Sequence, residues 1–333
     1  MIGSRDYARS LVALSAAVMA AAALLLPQTE AFAETKYPTK AVRIVLPFAA
    51  GGVADITARV VAERLGIRLG GRFYVENQPG AGGIAAARSV TSSVPDGTTL
   101  ALLSNGTAIS VSLFKTLPFD PLKDFTPISS LGYFDFIFAT GAGSEFKTLV
   151  EFIKAARAKP GALNVGTINV GSTQNLAAEL FKTAAGIDFQ IIPFRATPDV
   201  LVSLMQGNLA LMIDSYSSLK GNLVDGKIRA LASSAAKRSE SAPEIATAAE
   251  GGVAGYDVVS WNALFAPAGT PPDIVKILND ALHDVLAEPE VKTRLLELGI
   301  EARASTPEEI AARLKSDIDK WRLVIEKSGI ERQ

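Results

Sequence analysis

Residues 42–48, Val-Arg-Ile-Val-Leu-Pro-Phe, are apolar at nearly every position, the pattern of a strand buried on both faces. A turn of small residues follows, Ala49-Ala50-Gly51-Gly52, and the spacing then changes. From Val53 to Leu69 the apolar Ile56, Val60, Val61 and Leu65 recur at helical intervals, with Asp55, Arg59, Glu63 and Arg64 as the polar positions. The same switching predicts further strands over 72–76, 98–104, 134–140, 163–167, 189–193, 209–214 and 229–234. Helices fit between them, notably over 144–159, 173–185 and 198–206, and the chain closes with helices over 271–287, 289–298 and 306–327. Alternating strands and helices predict an α/β protein with largely parallel sheets.

Two stretches suggest a bipartite body. Residues 117–132 are rich in Pro, Asp and Ser and lead into a β-like run at 133–140; a second β-like run, 256–267, follows a Gly-rich turn. Read as crossing strands, they join two lobes with a cleft between them. Lobe 1 then comprises residues 34–138 and 258–333, and lobe 2 residues 139–257.

The N-terminus reads as an address. Arg5 and Arg9 precede the apolar run from Leu11 to Leu26, and Ala31-Phe32-Ala33 completes a signal-peptide pattern over residues 1–33. An uncleaved anchor is the alternative, although the run is marginal against the roughly 20 residues a bilayer core requires. Export to the periplasm disfavours ATP- or NAD-dependent chemistry. Composition narrows the field further: 33 Lys+Arg against 34 Asp+Glu leave no basic surplus for nucleic acid. With no Cys and a single His in 333 residues, thiolate sites and His-rich metal sites are excluded. No cofactor and no metal are expected.

The stretch Pro47-Phe48-Ala49-Ala50-Gly51-Gly52-Val53-Ala54-Asp55 carries the most chemistry. It lies where a strand of a parallel sheet ends and a helix begins, the place at which open α/β folds bind ligands. The first N–H groups of a helix lack internal partners, and together with the macrodipole they favour an anion. The alternative is a tight turn without a ligand, with Asp55 serving only the first helical turn. Gly171-Ser172-Thr173-Gln174-Asn175 repeats the design in the other lobe, although Ser172 or Thr173 serves equally as a plain N-cap. Asn105 and Thr107, in Ser104-Asn105-Gly106-Thr107, offer a third polar edge. Asp214, at the end of a strand, either accepts a hydrogen bond from the ligand or pins its own loop. For Arg195 the pinning role is favoured over a carboxylate clamp.

Other features carry less. Gly80-Ala81-Gly82-Gly83-Ile84-Ala85 matches a loose dinucleotide fingerprint, but Gln78-Pro79 separates it from its strand and no acid is suitably placed, so it reads as a structural loop. His283 sits in a helical segment and no nucleophile elbow exists to use it. Asp120 and Asp124 are too few for a metal site. Trp261 and Trp321 read as packing residues.

Jointly, several motifs resemble those of the solute receptors of tripartite tricarboxylate transporters, the Bug/TctC family. They are the 47–55 turn, Val75-Glu76-Asn77-Gln78-Pro79-Gly80-Ala81-Gly82-Gly83, Pro95-Asp96-Gly97-Thr98-Thr99-Leu100 and Leu117-Pro118-Phe119-Asp120-Pro121 with Asp124-Phe125. Lys227-Ile228-Arg229-Ala230-Leu231-Ala232 and Ala266-Pro267-Ala268-Gly269-Thr270-Pro271 complete the set. The resemblance spans residues 37–333 and implies a two-lobe Venus-flytrap fold, each lobe a mainly parallel sheet flanked by helices. It implies capture of a small carboxylate at Phe48, Ala50, Gly51, Gly52, Val53, Ala54 and Asp55. The second lobe would add its Gly-Ser loop, with Gly171, Ser172, Thr173 and Asn175; Thr167 and Asp214, the latter from its own strand end, complete the candidate residues. This chain departs from the family pattern where Val53 replaces Ser, Asn175 replaces His, Thr167 and Asn169 replace Ser and Gly, and Phe194-Arg195-Ala196 replaces Tyr-Arg-Gly.

The function expected is therefore that of a monomeric periplasmic receptor, not an enzyme, delivering an organic anion to membrane permease subunits. The alternatives are a secreted hydrolase or isomerase using His283 or Asp55 as base, and a receptor that feeds a sensor protein.

Overall fold

The computed structural model describes residues 36–333; the expected signal peptide lies outside the described residues. A ten-stranded mixed sheet runs through the molecule, with the main strand order β2-β1-β3-β9-β4-β7-β5-β6. At one end, β1 (Val42–Leu46) lies between β2 (Phe73–Asn77) and β3 (Thr99–Ser104), both parallel to it. At the other end, β5 (Asn164–Ile168) lies between β6 (Gln190–Phe194) and β7 (Leu211–Ser215), again all parallel. Each trio has its first strand in the middle, so the chain reverses its direction of travel across the sheet there. That is the topological switch point at which a crevice opens.

The strands joining the trios are antiparallel to their neighbours, so parallel pairing is confined to the two ends. β4 (Phe125–Gly141) pairs with β9 (Val259–Pro267) as far as Asp135 and with β7 from Phe136 onward. β8 (Ile228–Ser233) and β10 (Glu301–Ala302) also pair with β4. β4 starts well before the expected 133–140, inside the stretch rich in Pro, Asp and Ser. Irregularities in register at Pro127/Ser129 and Ser130/Gly132 absorb those residues. The hydroxyls find partners there: Ser130 Oγ donates to the Arg303 carbonyl at 2.6 Å, and Ser129 Oγ accepts from Ser305 N–H at 3.0 Å. Phe125, Ile128 and Leu131 meanwhile point into the core.

A helix follows the C-terminal end of each strand in the two parallel trios. α1 (Val53–Leu69) follows β1 and ends at Gly70 in the left-handed region, φ 63°. α2 (Ile84–Thr91) follows β2, and α3 (Asn105–Leu113) follows β3. α4 (Leu149–Ala158) starts five residues later than the expected 144, because Thr148 and Glu151 form a reciprocal capping box. α5 (Thr173–Ala185), α6 (Thr197–Met205) and α7 (Tyr216–Val224) follow β5, β6 and β7. α8 (Pro272–Ala287), α9 (Pro289–Leu296) and α10 (Pro307–Ser328) complete the chain. None of these helices is long and apolar enough to cross a membrane.

Two contacts anchor α10, one to the start of α3 and one to β9. Trp321 Nε1 donates to Asn105 Oδ1 at 2.7 Å, and Trp261 Nε1 donates to Asp317 Oδ2 at 2.6 Å, so both tryptophans are buried packing residues with satisfied N–H groups. An aromatic cluster holds α5 against the sheet: Phe181 contacts Phe138 at 4.9 Å between centroids and Tyr256 at 6.0 Å. Phe152 and Phe189 flank it. Tyr256 Oη also donates to the Ala177 carbonyl on α5 at 2.8 Å. Phe181→Ala should cost about 3–5 kcal/mol of folding stability, the usual loss for a fully buried ring, measured by urea unfolding.

Candidate functional site

The turn between β1 and α1 is held from behind by one carboxylate. Gly51 has φ +86°, a left-handed conformation that favours glycine, and this directs its N–H onto Asp55 Oδ2 at 2.9 Å. Asp55 is 3% exposed; its carboxylate also accepts from Asn77 Nδ2 at 2.9 Å and pairs with Arg59 at 2.9 Å. Asn77, at the end of β2, also donates to the Phe48 carbonyl at 3.0 Å. Burial by itself would raise the Asp55 carboxyl, but hydrogen bonds from Arg59, Gly51 and Asn77, together with the Arg59 charge, hold it below the usual carboxylate range.

The turn between β5 and α5 is built the same way with an amide in place of the acid. Gly171, φ +78°, donates its N–H to Asn175 Oδ1 at 3.0 Å, and Asn175 Nδ2 donates to Thr167 Oγ1 at 3.4 Å. Ser172 caps the helix by accepting from Asn175 N–H at 3.1 Å. In both turns a glycine N–H is tied to the side chain four residues on. Asp55, Asn175 and Thr167 thus stand behind the turns and shape them.

α1 has no side-chain cap at Gly52, and the N–H groups of Val53 and Ala54 have no acceptor among the described residues. In α5 the N–H groups of Thr173 and Gln174 are free in the same sense. All four residues line one pocket of about 400 Å³, together with Phe48, Gly52, Gly171 and Ser172. This volume falls within the roughly 300–1,000 Å³ of small-molecule sites. Two roomier depressions, about 550 and 530 Å³, contain neither glycine turn.

Asp214 also lines the pocket. It is 1% exposed and accepts from Gln174 Nε2 at 3.1 Å, Thr197 Oγ1 at 2.5 Å and its neighbour Ser215 N–H at 2.7 Å. Burial raises its carboxyl above the ordinary range, and those hydrogen bonds offset only part of the rise. Asp214 therefore fastens the starts of α5 and α6 to β7, while still facing the pocket.

The other expected residues fall around this wall. Ala50 and Gly51 are exposed on the turn. Thr107 belongs to the capping box of α3 with Ser104. Asn105 is fully buried and bridges the two ends of the molecule, accepting from Trp321 and donating from Nδ2 to Thr173 Oγ1 at 3.1 Å. None of these four is part of the pocket lining. Arg195 is exposed and outside the lining, and His283 is exposed on α8. Asp124 accepts from Asp120 N–H at 2.8 Å, closing its own loop. Gly82 and Gly83, with positive φ, pack near Phe114 and Pro47 and support the first turn from outside. Among the described residues no acidic or histidine cluster is arranged to hold a metal.

Of the lining residues that were not expected, three stand out. Phe134 and Phe136 sit two apart on β4, so strand alternation puts both rings on one face, 6.0 Å between centroids. Asn262 on β9 is 2% exposed, and its Nδ2 has no acceptor among the described residues. The available signal for Asn262 was a lone amide within the apolar run Trp261-Asn262-Ala263-Leu264-Phe265.

A family model described as "Tripartite tricarboxylate transporter family receptor" matches residues 57–330. Protein BugT of Bordetella pertussis is 30% identical over 295 residues, 88% of this chain and 90% of BugT. MatC of Rhodopseudomonas palustris, solved with bound malate, is 33% identical, with a TM-score of 0.73 over 87% of this chain and 100% of MatC. R. palustris Rpa4515, solved with adipate, is 32% identical, with a TM-score of 0.78 over 89% of this chain and 99% of that one.

Asp55→Asn keeps the shape of the turn brace and removes its charge. Because the Asp55 carboxyl is depressed in the folded state, its stabilising contribution is complete above the unfolded value of about 3.9 and fades as pH falls through the lower folded value. Urea unfolding should therefore show the wild type more stable than Asp55→Asn at pH 7, with the gap closing as pH falls below about 4.

Proposed function

Since the chain belongs to the receptor family of tripartite tricarboxylate transporters, we propose that it is a periplasmic receptor closing on a small organic acid, which it hands to membrane permease subunits. Residues 1–33 act as its cleaved export signal. Its lobes comprise 34–138 with 258–333, and 139–257, and the exchange of strand partners along β4 at Asp135/Phe136 supports a hinge close to those limits. It works as a monomer, and no covalent step is required of it.

One observation carries this reading: two helices start uncapped or half-capped on the same pocket, each with main-chain N–H groups lacking an acceptor among the described residues. Such groups hold a carboxylate without a charged side chain, the dipole contributing about 0.3–1 kcal/mol and up to ~2 where partly buried. Gly52, Val53 and Ala54 bind from lobe 1, and Gly171, Ser172 and Thr173 from lobe 2, with Phe48 and Asp214 completing the wall. A ligand that touches both starts favours the closed arrangement, since only differential affinity shifts such an equilibrium. The malate and adipate of its structural relatives set the chemical range to search first.

Thermal unfolding against a panel of carboxylates tests the proposal. An acid present at 100 times its dissociation constant should add about 2.7 kcal/mol, and it should be recovered chemically unchanged. Gly52→Asp separates the anion site from folding. Gly52 has φ −82°, and a Cβ there meets only the Ala49 carbonyl oxygen at 4.0 Å, so the backbone accepts the change. Aspartate is moreover a good N-cap and would satisfy the free amides itself. The variant should melt no lower than wild type and bind at least about tenfold more weakly; undiminished affinity would contradict the site.

A further inference from the structure

Building on the receptor reading, we infer that this chain selects a monocarboxylate with an apolar body, aryl or short alkyl, over a dicarboxylate of the same skeleton. The grounds are the one-sided charge of the pocket and its aromatic wall.

No Lys, Arg or His lines the pocket, and its one ionisable side chain among the described residues is the buried Asp214. Free donors line both sides, but only on the lobe 1 side do they stand without a pocket-lining acid beside them. There the uncapped start of α1 presents Val53 and Ala54 N–H groups, and Asn262 supplies a buried Nδ2 without an acceptor. The acid nearest to that start, Asp55, lies behind the turn and is paired with Arg59. Arginine, glycine and asparagine donors therefore occupy its negative charge, which is turned away from the ligand.

The lobe 2 side differs. A helix start there carries roughly half a positive charge, but Asp214 brings a carboxylate to the starts of α5 and α6 through Gln174 and Thr197. The N–H groups of Thr173 and Gln174 remain available to a neutral acceptor. The Asp214 oxygens already accept from Gln174, Thr197 and Ser215, so a second ligand carboxylate on this side would meet no free donor on Asp214 and no cation to offset the repulsion. Between the two sides stand Phe48, Phe134, Phe136 and Ile168. The two rings on β4 form an edge-on pair, an apolar surface suited to a flat or alkyl body. The pocket thus offers one anion seat, an aromatic wall and an acid at the far end.

Isothermal titration of the full mature chain with two matched pairs tests this: hexanoate against adipate, and benzoate against terephthalate. In the better-bound pair the monoacid should bind at least tenfold more tightly than the diacid. Asp214→Asn should narrow that gap, because it removes the repelling charge. Phe134→Ala changes a half-buried ring; it should weaken the monoacid about fivefold or more while the protein still folds. Asn262→Leu should weaken monoacid and diacid alike, since it acts on the shared carboxylate seat. A diacid that binds as tightly as its monoacid, or more tightly, overturns the inference and leaves the receptor reading standing. If none of the four acids binds, nor any acid in the wider panel, both fall together.

Discussion

Main-chain N–H groups that no protein atom accepts are expensive unless water or a ligand meets them, and the site depends on keeping such groups free at two helix starts. The fold achieves this by spending other donors. Gly51 and Gly171 turn their N–H groups inward onto Asp55 and Asn175, which fixes each turn while leaving the next amides unoccupied. A conventional side-chain cap at Gly52 would close the first of these sites. Unlike α3 and α4, α1 carries none, and its free amides open onto the pocket.

The rest of the architecture places these two turns face to face. β1 and β5 are the central strands of their trios, so both turns emerge at switch points of parallel sheets. Asn105 couples the two ends directly: it is anchored by Trp321 of the C-terminal helix and reaches Thr173 at the start of α5. The long strand β4 belongs to both halves and contributes Phe134 and Phe136 to the pocket at the place where its partners change. The change of strand partners and the aromatic part of the pocket lining therefore fall on the same few residues of β4.

Much of this was legible in the chain. A continuous apolar run placed β1, helical spacing placed α1, α5 and the terminal helices to within a few residues, and the glycine turns fell on the pocket. β4 was harder, because Pro127 and the serines at 129 and 130 look like loop chemistry until Arg303 and Ser305, far along the chain, supply their partners. The distinction between lining and support was not legible at all. Asp55, Asn105 and Asn175 have the residue types of ligand contacts, yet their polar atoms are consumed by Gly51, Trp321 and Gly171. Conversely Phe134, Phe136 and Asn262 sit in strands whose apolar character announced only burial. Which face of a strand meets a cleft is decided by tertiary pairing, and no local pattern encodes it.

The account turns on amides at both helix starts gripping one ligand. Amide-resolved NMR of the ¹⁵N-labelled protein, titrated with its best-bound carboxylate, reads those groups individually. Val53 and Ala54 should shift together with Thr173 and Gln174 along a single binding curve, as the cleft encloses the ligand from both sides. Shifts confined to one helix start, or clustered away from both while the ligand saturates, would contradict it.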